Sequence, residues 1–319
     1  MTVYKDDLKV FYIPKRKGKR KIVTYKNHDC ELYGFHEKVN QSLMKRLKQS
    51  IFAKAYIKKR SIITNAKSHM HNDIFLFIDI MDFFQSINHR KLLKVLYYEI
   101  NKNYIQHFSL AQCRDLIDSC SLSNKGLAIG LKPSPILANI YLKEFDGILY
   151  GFLKKLNLKN VIYTRYADDL VVSYKGDNTD SCKIIFDKIV ELLAKYRLKA
   201  NNNKTKIINL NISNHVKITG VNITRDSDNN RGLSVGRKLK NELYNRTIKL
   251  CSDSNNKTRE WYQEAQSIRG LQSFVLSVEG KDYENIYSRK MINIIKTYGY
   301  CSLKELIDNI YDVSKKSPK

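Results

Sequence analysis

Residues 161–174 read Val-Ile-Tyr-Thr-Arg-Tyr-Ala-Asp-Asp-Leu-Val-Val-Ser-Tyr. Two adjacent carboxylates, Asp168 and Asp169, interrupt an otherwise apolar, β-branched and aromatic run. Neighbouring side chains on a strand point to opposite faces, so one Asp would enter a buried face at high cost. The cost disappears if the chain turns at the pair and a divalent cation takes the carboxylates. The pattern therefore predicts a hairpin over 161–174 with the Asp pair at its tip. An ordinary polar turn is the competing reading, and the apolar flanks argue against it.

Such a cation needs a further carboxylate. Asp79 ends Ile74-Phe-Leu-Phe-Ile-Asp79, an apolar run of buried-strand type, and Asp82 follows. Alone, Asp79 would be read as a strand-end residue capping the next turn. If strand 74–80 pairs beside the 161–174 hairpin, Asp79 and Asp168 project to one edge. Mg²⁺ binds few carboxylates and completes its shell with water and substrate phosphates. Two such ions suit in-line displacement at phosphorus.

Charge indicates what this edge acts on. Lys and Arg number 57 against 31 Asp and Glu, a net of +26. So large an excess favours a polyanionic partner, nucleic acid before a membrane surface. No apolar run approaches the length of a spanning helix, so no membrane partner is expected. The polar start, Met1-Thr-Val-Tyr-Lys-Asp-Asp7, does not read as a secretory leader. Six scattered cysteines without a C-x-x-C pair suit reduced thiols and a cytoplasmic location. His69 and His71 lie close together. A hydrogen-bonded structural role is preferred for them over a metal site.

Lys9–Pro14 and Ile22–Tyr25 read as strands around the basic turn Lys15-Arg-Lys-Gly-Lys-Arg-Lys21. Residues 35–60 read as a helix, with Val39, Leu43, Leu47 and Ile51 on one face. Helices are expected over 88–100, 105–121, 135–156 and 180–196, and strands over 206–210 and 216–223. From Arg237 onward the pattern is helical and basic, with a turn at Ser252–Asn256. Strands and helices do not alternate regularly, which argues for α+β rather than a doubly wound parallel sheet.

Tyr166-Ala-Asp-Asp169 resembles the catalytic motif of reverse transcriptases. Asp79-Ile-Met-Asp-Phe-Phe84-Gln-Ser-Ile resembles their preceding aspartate motif. Gly126-Leu-Ala-Ile-Gly-Leu-Lys-Pro-Ser-Pro-Ile-Leu-Ala-Asn139 resembles the motif between those two. Asn203-Lys204-Thr205 resembles the next one. Lys217-Ile-Thr-Gly220 and Ser234-Val-Gly236-Arg237 resemble the strand pair that grips the primer. Asn65-Ala-Lys-Ser-His69 and the helix segment Arg269-Gly270-Leu-Gln-Ser-Phe274 are similar to elements of bacterial retron-type and antiphage-defence-associated enzymes.

The resemblance implies an α+β right-hand polymerase with an antiparallel palm sheet and a helical thumb. Fingers would take 1–71 with part of 88–125, palm 72–223 and thumb 224–319. It implies RNA-directed DNA synthesis from dNTPs on a structured non-coding RNA in a bacterial cytoplasm, in a retron or other antiphage defence with an effector protein. Asp79, Asp168 and Asp169 would be catalytic and would hold two Mg²⁺ ions (or Mn²⁺), with Ile80 as a further ligand position. Phe84 would exclude a 2′-hydroxyl, although a core Phe reads equally well with Phe83 adjacent. Lys19, Lys21, Ile129, Gly130 and Lys204 would meet the nucleotide. Lys204 suits a triphosphate contact or protonation of pyrophosphate, and also reads as a solvated lysine. Tyr166, Gly220, Gly236, Arg237, Lys240 and Arg269 would meet nucleic acid. Lys238, Arg246, Lys249, Lys257 and Arg259 would add phosphate contacts, and Trp261 is read as a core anchor.

One position departs from the family pattern. Leu127-Ala128-Ile129-Gly130 stands where most members carry Leu-Pro-Gln-Gly, and Ile129 cannot donate a hydrogen bond. Two alternatives are therefore carried: template-independent or protein-primed DNA synthesis, and a non-catalytic RNA-binding protein with a degenerate palm.

Overall fold

The computed structural model describes residues 5–15, 18–226, 228–253 and 258–315. The chain divides into two compact units between Ser213 and Asn214.

The first unit opens with an antiparallel hairpin of β1 (Leu8–Pro14) and β2 (Lys19–Tyr25). Residues 16 and 17 of its basic tip lie outside the described residues. Helix α1 (Glu31–Arg46) ends well short of the expected residue 60. Leu47 is its extended C-cap, and Ile51 is 71% exposed. The reason is tertiary. Arg165 N–H donates to Phe52 O at 2.9 Å, and Lys54 N–H donates to Arg165 O at 2.7 Å, so this stretch serves as an extended partner for another strand. A helical backbone would have no free groups to offer.

Helix α2 (Ile62–Ser68) starts at a Ser61–Thr64 capping box. Strand β3 (Ile74–Asp79) is followed by the short α3 (Phe83–Ser86) and by α4 (His89–Asn101). The Asn88 side chain caps α4 by accepting from Lys91 N–H. Helix α5 (Leu110–Ser119) is shorter than the expected 105–121, because a Ser109–Gln112 capping box fixes its start. The single helix expected over 135–156 is two, α6 (Ser134–Tyr141) and α7 (Lys143–Lys154), interrupted at Leu142. Then come β4 (Ile162–Tyr166), β5 (Asp169–Tyr174), α8 (Ser181–Lys195) and β6 (Lys206–Asn209).

These strands form a four-stranded antiparallel sheet in the order β4-β5-β3-β6. Its two faces follow from the period of two. Ile74, Leu76, Ile78, Tyr163, Leu170 and Val172 join the main apolar core with α4, α6, α7 and α8. Register places Asp79 opposite Asp169, and Asp169 opposite Tyr166, on the other face.

The second unit combines a three-stranded antiparallel sheet with helices. The strands are β7 (His215–Ile218), β8 (Val221–Arg225) and β9 (Arg231–Ser234). The helices are α9 (Arg237–Ser252), α10 (Arg259–Glu279), α11 (Arg289–Thr297) and α12 (Leu303–Lys315). The single strand expected over 216–223 is thus a hairpin, turning at Thr219 (φ 45°) and Gly220 (φ 97°). Two positive φ angles are what a type I′ turn demands. A boundary at 223/224 would cut β8, which pairs with both β7 and β9. Trp261 is buried in this unit's own core, its indole N–H donating to Leu250 O at 3.2 Å. Lys257 and most of the turn expected at Ser252–Asn256 lie outside the described residues. Among the described residues, no helix is long and apolar enough to cross a membrane.

Candidate active site

The β4–β5 turn carries the carboxylate pair. Ala167 sits at φ 56°, in the left-handed region that costs an L-residue about 1–2 kcal/mol. The surrounding ladder holds it there. Tyr166 pairs with Asp169, and Ile80 N–H donates to Asp168 O at 3.0 Å. The Ile80 side chain is buried, so only its carbonyl oxygen could serve as a ligand.

The three aspartates sense one another. Burial raises the Asp168 pKa, and the Asp79 charge adds to it. Burial and the charges of Asp168 and Asp79 push Asp169 up to about 6. Like charges gathered at one sheet edge add to burial in disfavouring ionisation of Asp168 and Asp169, and a bound cation would relieve that. Lys204 already supplies some relief: its ammonium lies 2.8 Å from Asp79 Oδ1. Asn201 donates to Asp79 Oδ2 at 3.1 Å, and Asn201 N–H bonds Asp79 O at 2.8 Å. The α8–β6 connection is thereby laced to β3. Among the described residues, no three His, Cys, Asp or Glu side chains close into a cation cage. The carboxylates form an open edge. Their hard oxygens fit a cation such as Mg²⁺, which takes its remaining ligands from water and phosphate.

Two supports hold the hairpin from behind. Arg165 is fully buried on the helix-facing side. It forms a forked pair with Asp146 of α7 (Nε–Oδ1 2.9 Å, Nη2–Oδ2 2.8 Å) and reaches Asn139 of α6. The interruption at Leu142 leaves both partners facing the guanidinium. On the other face His69, at the end of α2, bonds Ser173 of β5 and Thr164 of β4, each at 2.7 Å. Burial lowers its pKa to about 3, with help from the Lys54 charge. Both ring nitrogens are occupied by hydroxyls, so His69 is structural and the metal alternative falls away.

In the basic hairpin, whose run Lys15–Lys21 the sequence offers without choosing among its cations beyond naming Lys19 and Lys21, the structure singles out Arg20. Lys19 and Lys21 alternate onto the β2 face shared with buried Val23 and Tyr25. Arg20, on the opposite face, is the one whose charge lowers the pKa of Asp168 and of Tyr56. Tyr56 was missed. It adopts φ 61° and meets the Phe84 ring edge-on at 6.4 Å, and the Asp168 charge, after burial, raises its pKa. Phe83 and Phe84 are both buried, and Phe84 is the one against Tyr56. No local pattern marks Tyr56. Only its positive φ and its place beside Asp168 single it out.

Ile129 and Gly130 join the site through the backbone. Val23 N–H donates to Ile129 O at 2.8 Å. Gly130 has φ 115°, and a Cβ there would lie 2.2 Å from Val23 O. Glycine at this position is what lets β2 lie against the 127–130 segment.

The second unit treats its expected nucleic-acid residues unequally. Lys240 is tied to Glu279 at 2.7 Å and is nearly buried. Arg269 is bonded to Asp308 and Gln272, and Arg246 forks onto Glu264 at 2.7 and 2.9 Å. Lys240 is thus held in a nearly buried pair, whereas the Arg269–Asp308 pair is about one-third exposed. Gly220 serves the β7–β8 turn. Gly236 (φ 85°) precedes α9, and a Cβ there would meet Asn222 Nδ2 at 2.9 Å. Arg237 and Lys238 line an open groove along α9 with Asn241, Glu242, Asn245 and Arg246.

Residues 13–223 match the family model for reverse transcriptase (RNA-dependent DNA polymerase). The chain belongs to the reverse transcriptase family. It is similar to the Escherichia coli retron Ec83 reverse transcriptase, with 26% identity over 306 residues covering 91% of this chain and 90% of the relative. It is likewise similar to the Escherichia coli retron Ec86 reverse transcriptase, with 25% identity over 94% of this chain and 85% of the relative. Among solved structures, telomerase from Candida tropicalis with a fragment of telomeric RNA aligns at a TM-score of 0.51 and 15% identity. That alignment covers 96% of this chain and 61% of the telomerase, so the chain spans about three fifths of that protein's length. At this identity the likeness speaks for the fold, which is the α+β right-hand polymerase fold. This reverse transcriptase is accordingly an RNA-directed DNA polymerase. A non-catalytic binding protein does not describe it.

Proposed function

We propose that this reverse transcriptase extends a primer hydroxyl with dNTPs on a structured non-coding RNA, as the names of its retron relatives suggest, in a bacterial cytoplasm. The observation that carries the chemistry is the shared edge of Asp79, Asp168 and Asp169, where burial, and then the charge of the neighbouring carboxylates, raises the pKa of Asp168 and Asp169. Divalent cations of the Mg²⁺ type, when bound there, would activate the attacking hydroxyl and neutralise the leaving pyrophosphate. The protein's part is positioning and charge.

Asp79, Asp168, Asp169 and the Ile80 carbonyl would hold the cations. Lys204, paired with Asp79 in the structure, would be the proton donor for the leaving pyrophosphate. Arg20 meets the triphosphate from the hairpin. Phe84, backed by Tyr56, forms the wall under the sugar. Arg237 and Lys238 contact phosphates of the RNA–DNA hybrid through charge and shape. In this reading the first unit carries fingers and palm, and the second carries the thumb with β7–β9 at its base. A role in antiphage defence alongside an effector protein is part of the same proposal and rests on the motif resemblance to retron-type enzymes.

The test is primer extension by the purified protein on a defined RNA template, followed by sequencing of the product. Complementary DNA is expected from the wild type and none from Asp168→Asn. Ile129 motivates a second reading, synthesis without ordinary templating, because an apolar side chain holds the position where a hydrogen-bonding Gln is usual. Products lacking complementarity to the template would decide for it. Activity surviving in Asp168→Asn would sink the metal assignment.

A further inference from the structure

Away from the carboxylate edge, the C-terminal end of α4 and the loop after it build a second surface. Helix α4 buries Leu92, Leu96 and Ile100 at four-residue spacing, which turns Lys94, Tyr97 and Tyr98 outward. Tyr98 is 61% exposed, and Ile105 is as open as a residue in an extended chain. Single exposed apolar residues need no explanation, but these sit at one helix end and in the loop that follows it, and that loop is held in place.

The loop is fixed at three points. The Asn101 side chain accepts from Phe108 N–H at 2.7 Å and donates to Phe108 O at 3.0 Å. The Arg46 guanidinium lies over the rings of Tyr104 and Phe108, 4.5 and 4.9 Å from their centroids, and donates to Gln106 O at 2.7 Å. Tyr104 OH donates to Lys45 O at 3.1 Å. So much anchoring of an exposed loop leaves little ordering entropy for a ligand to supply.

Charge narrows the choice of ligand. Between Arg90 and Leu110 the cations are Arg90, Lys91, Lys94 and Lys102, and Lys102 lies over the Tyr98 ring at 5.3 Å. The single carboxylate of this stretch, Glu99, is taken by Lys143 at 2.5 Å. Open aromatic rings interleaved with cations form the stacking platform and electrostatic groove that bind unpaired nucleotides. Lys91 is turned to Lys195 O and the Tyr196 ring, which leaves Lys94 and Lys102 as the cations beside the exposed tyrosines, an excess of charge that an apolar protein partner would not use.

We propose that the rigid Tyr97–Ile105 surface, where exposed tyrosines sit among Lys94 and Lys102, is a second binding site for single-stranded RNA, separate from the carboxylate edge. It would hold an unpaired segment of the same RNA whose copying is read above, and so rests on that reading. Helix α4 rises about 1.5 Å per residue, which puts Tyr98 about 14 Å along the axis from the helix start at His89.

The test uses full-length protein and a labelled 15-nucleotide single-stranded uridine RNA, with binding measured by anisotropy without dNTPs. Tyr97→Ser/Tyr98→Ser/Ile105→Ser changes only exposed side chains. It is expected to weaken binding about ten-fold or more, as loss of one or two stacked bases does. Lys94→Gln/Lys102→Gln should lower the slope of log affinity against log salt by about 1.4, two released counterions on a single strand. Extension of a short preformed RNA–DNA hybrid should keep the wild-type rate in both variants. A 4-thiouridine RNA should crosslink within 97–105. Unchanged affinity and salt slope, or crosslinks confined to other segments, would overturn the proposal, as would recovery of a protein partner on this surface with RNA binding intact. Failure of the copying reading would show itself separately, as absent extension by the wild type.

Discussion

Removing the Asp146 carboxylate should loosen the first unit by a large and calculable amount. Arg165 and Asp146 are both 0% exposed and joined by two charge-assisted hydrogen bonds of 2.9 and 2.8 Å. Burial alone would drive the guanidinium toward losing its proton; the Asp146 charge more than offsets this and holds its pKa above the ordinary arginine value. Asp146→Asn keeps the shape and removes the compensating charge, leaving a buried cation with neutral partners only. Breaking a buried pair in this way costs about 3–5 kcal/mol, against about 5–15 kcal/mol for the whole stability of a typical domain. Urea unfolding followed by far-UV circular dichroism would report it. The single tryptophan, Trp261, lies in the second unit and gives an independent fluorescence transition for that unit. The decisive comparison is with Arg165→Met/Asp146→Leu, where neither charge remains. That double variant should be more stable than Asp146→Asn. A loss below about 1 kcal/mol in Asp146→Asn, or a double variant worse than the single, would refute the electrostatic account.

Four further outcomes are expected. Lys204→Gln should bind Mn²⁺ up to about five-fold more tightly by calorimetry without nucleotide, the effect of an exposed pair of up to about 1 kcal/mol, while extension slows. Because the Asp169 pKa is raised to about 6, Mn²⁺ affinity should fall as pH drops through 6, and Asp169→Asn should flatten that dependence. Burial lowers the pKa of His36 to about 4 and of His69 to about 3, so each is neutral in the fold and cationic in the unfolded chain below 6.5. Their stabilisation is complete above pH 6.5 and lost toward 4 and 3. Asp169 acts oppositely in the metal-free protein, taking up its proton in the fold first as pH falls. Urea midpoints in an Asp169→Asn background should therefore drop between pH 6.5 and 4.5, and a flat profile would contradict this. Gly130→Ala must move Val23 O and should expose the β1–β2 hairpin to limited proteolysis, whereas Gly220→Ala, with open space around its Cβ, should cost about 1 kcal/mol.

The sequence by itself determined the features that depend on near neighbours. An Asp pair within apolar strands demanded a turn, and β4 and β5 turn there. Asn88, itself extended, starts α4 by accepting from Lys91 N–H with its side chain. The order of motifs named the polymerase fold, and the charge excess named the partner class. Features that depend on residues far apart in the chain were decided by tertiary structure alone. Helix α1 ends at Arg46 because Arg165, more than a hundred residues later, takes the 52–54 backbone. Arg20 reaches the Asp168 field from the β2 face opposite to that of Lys19 and Lys21. That Lys240 pairs with Glu279 and Arg269 with Asp308 is likewise visible only in the fold. Periodicity and capping act over four or five residues and leave their mark in the sequence. Which buried charge meets which counter-charge is set by packing across the whole unit, and no local pattern records it.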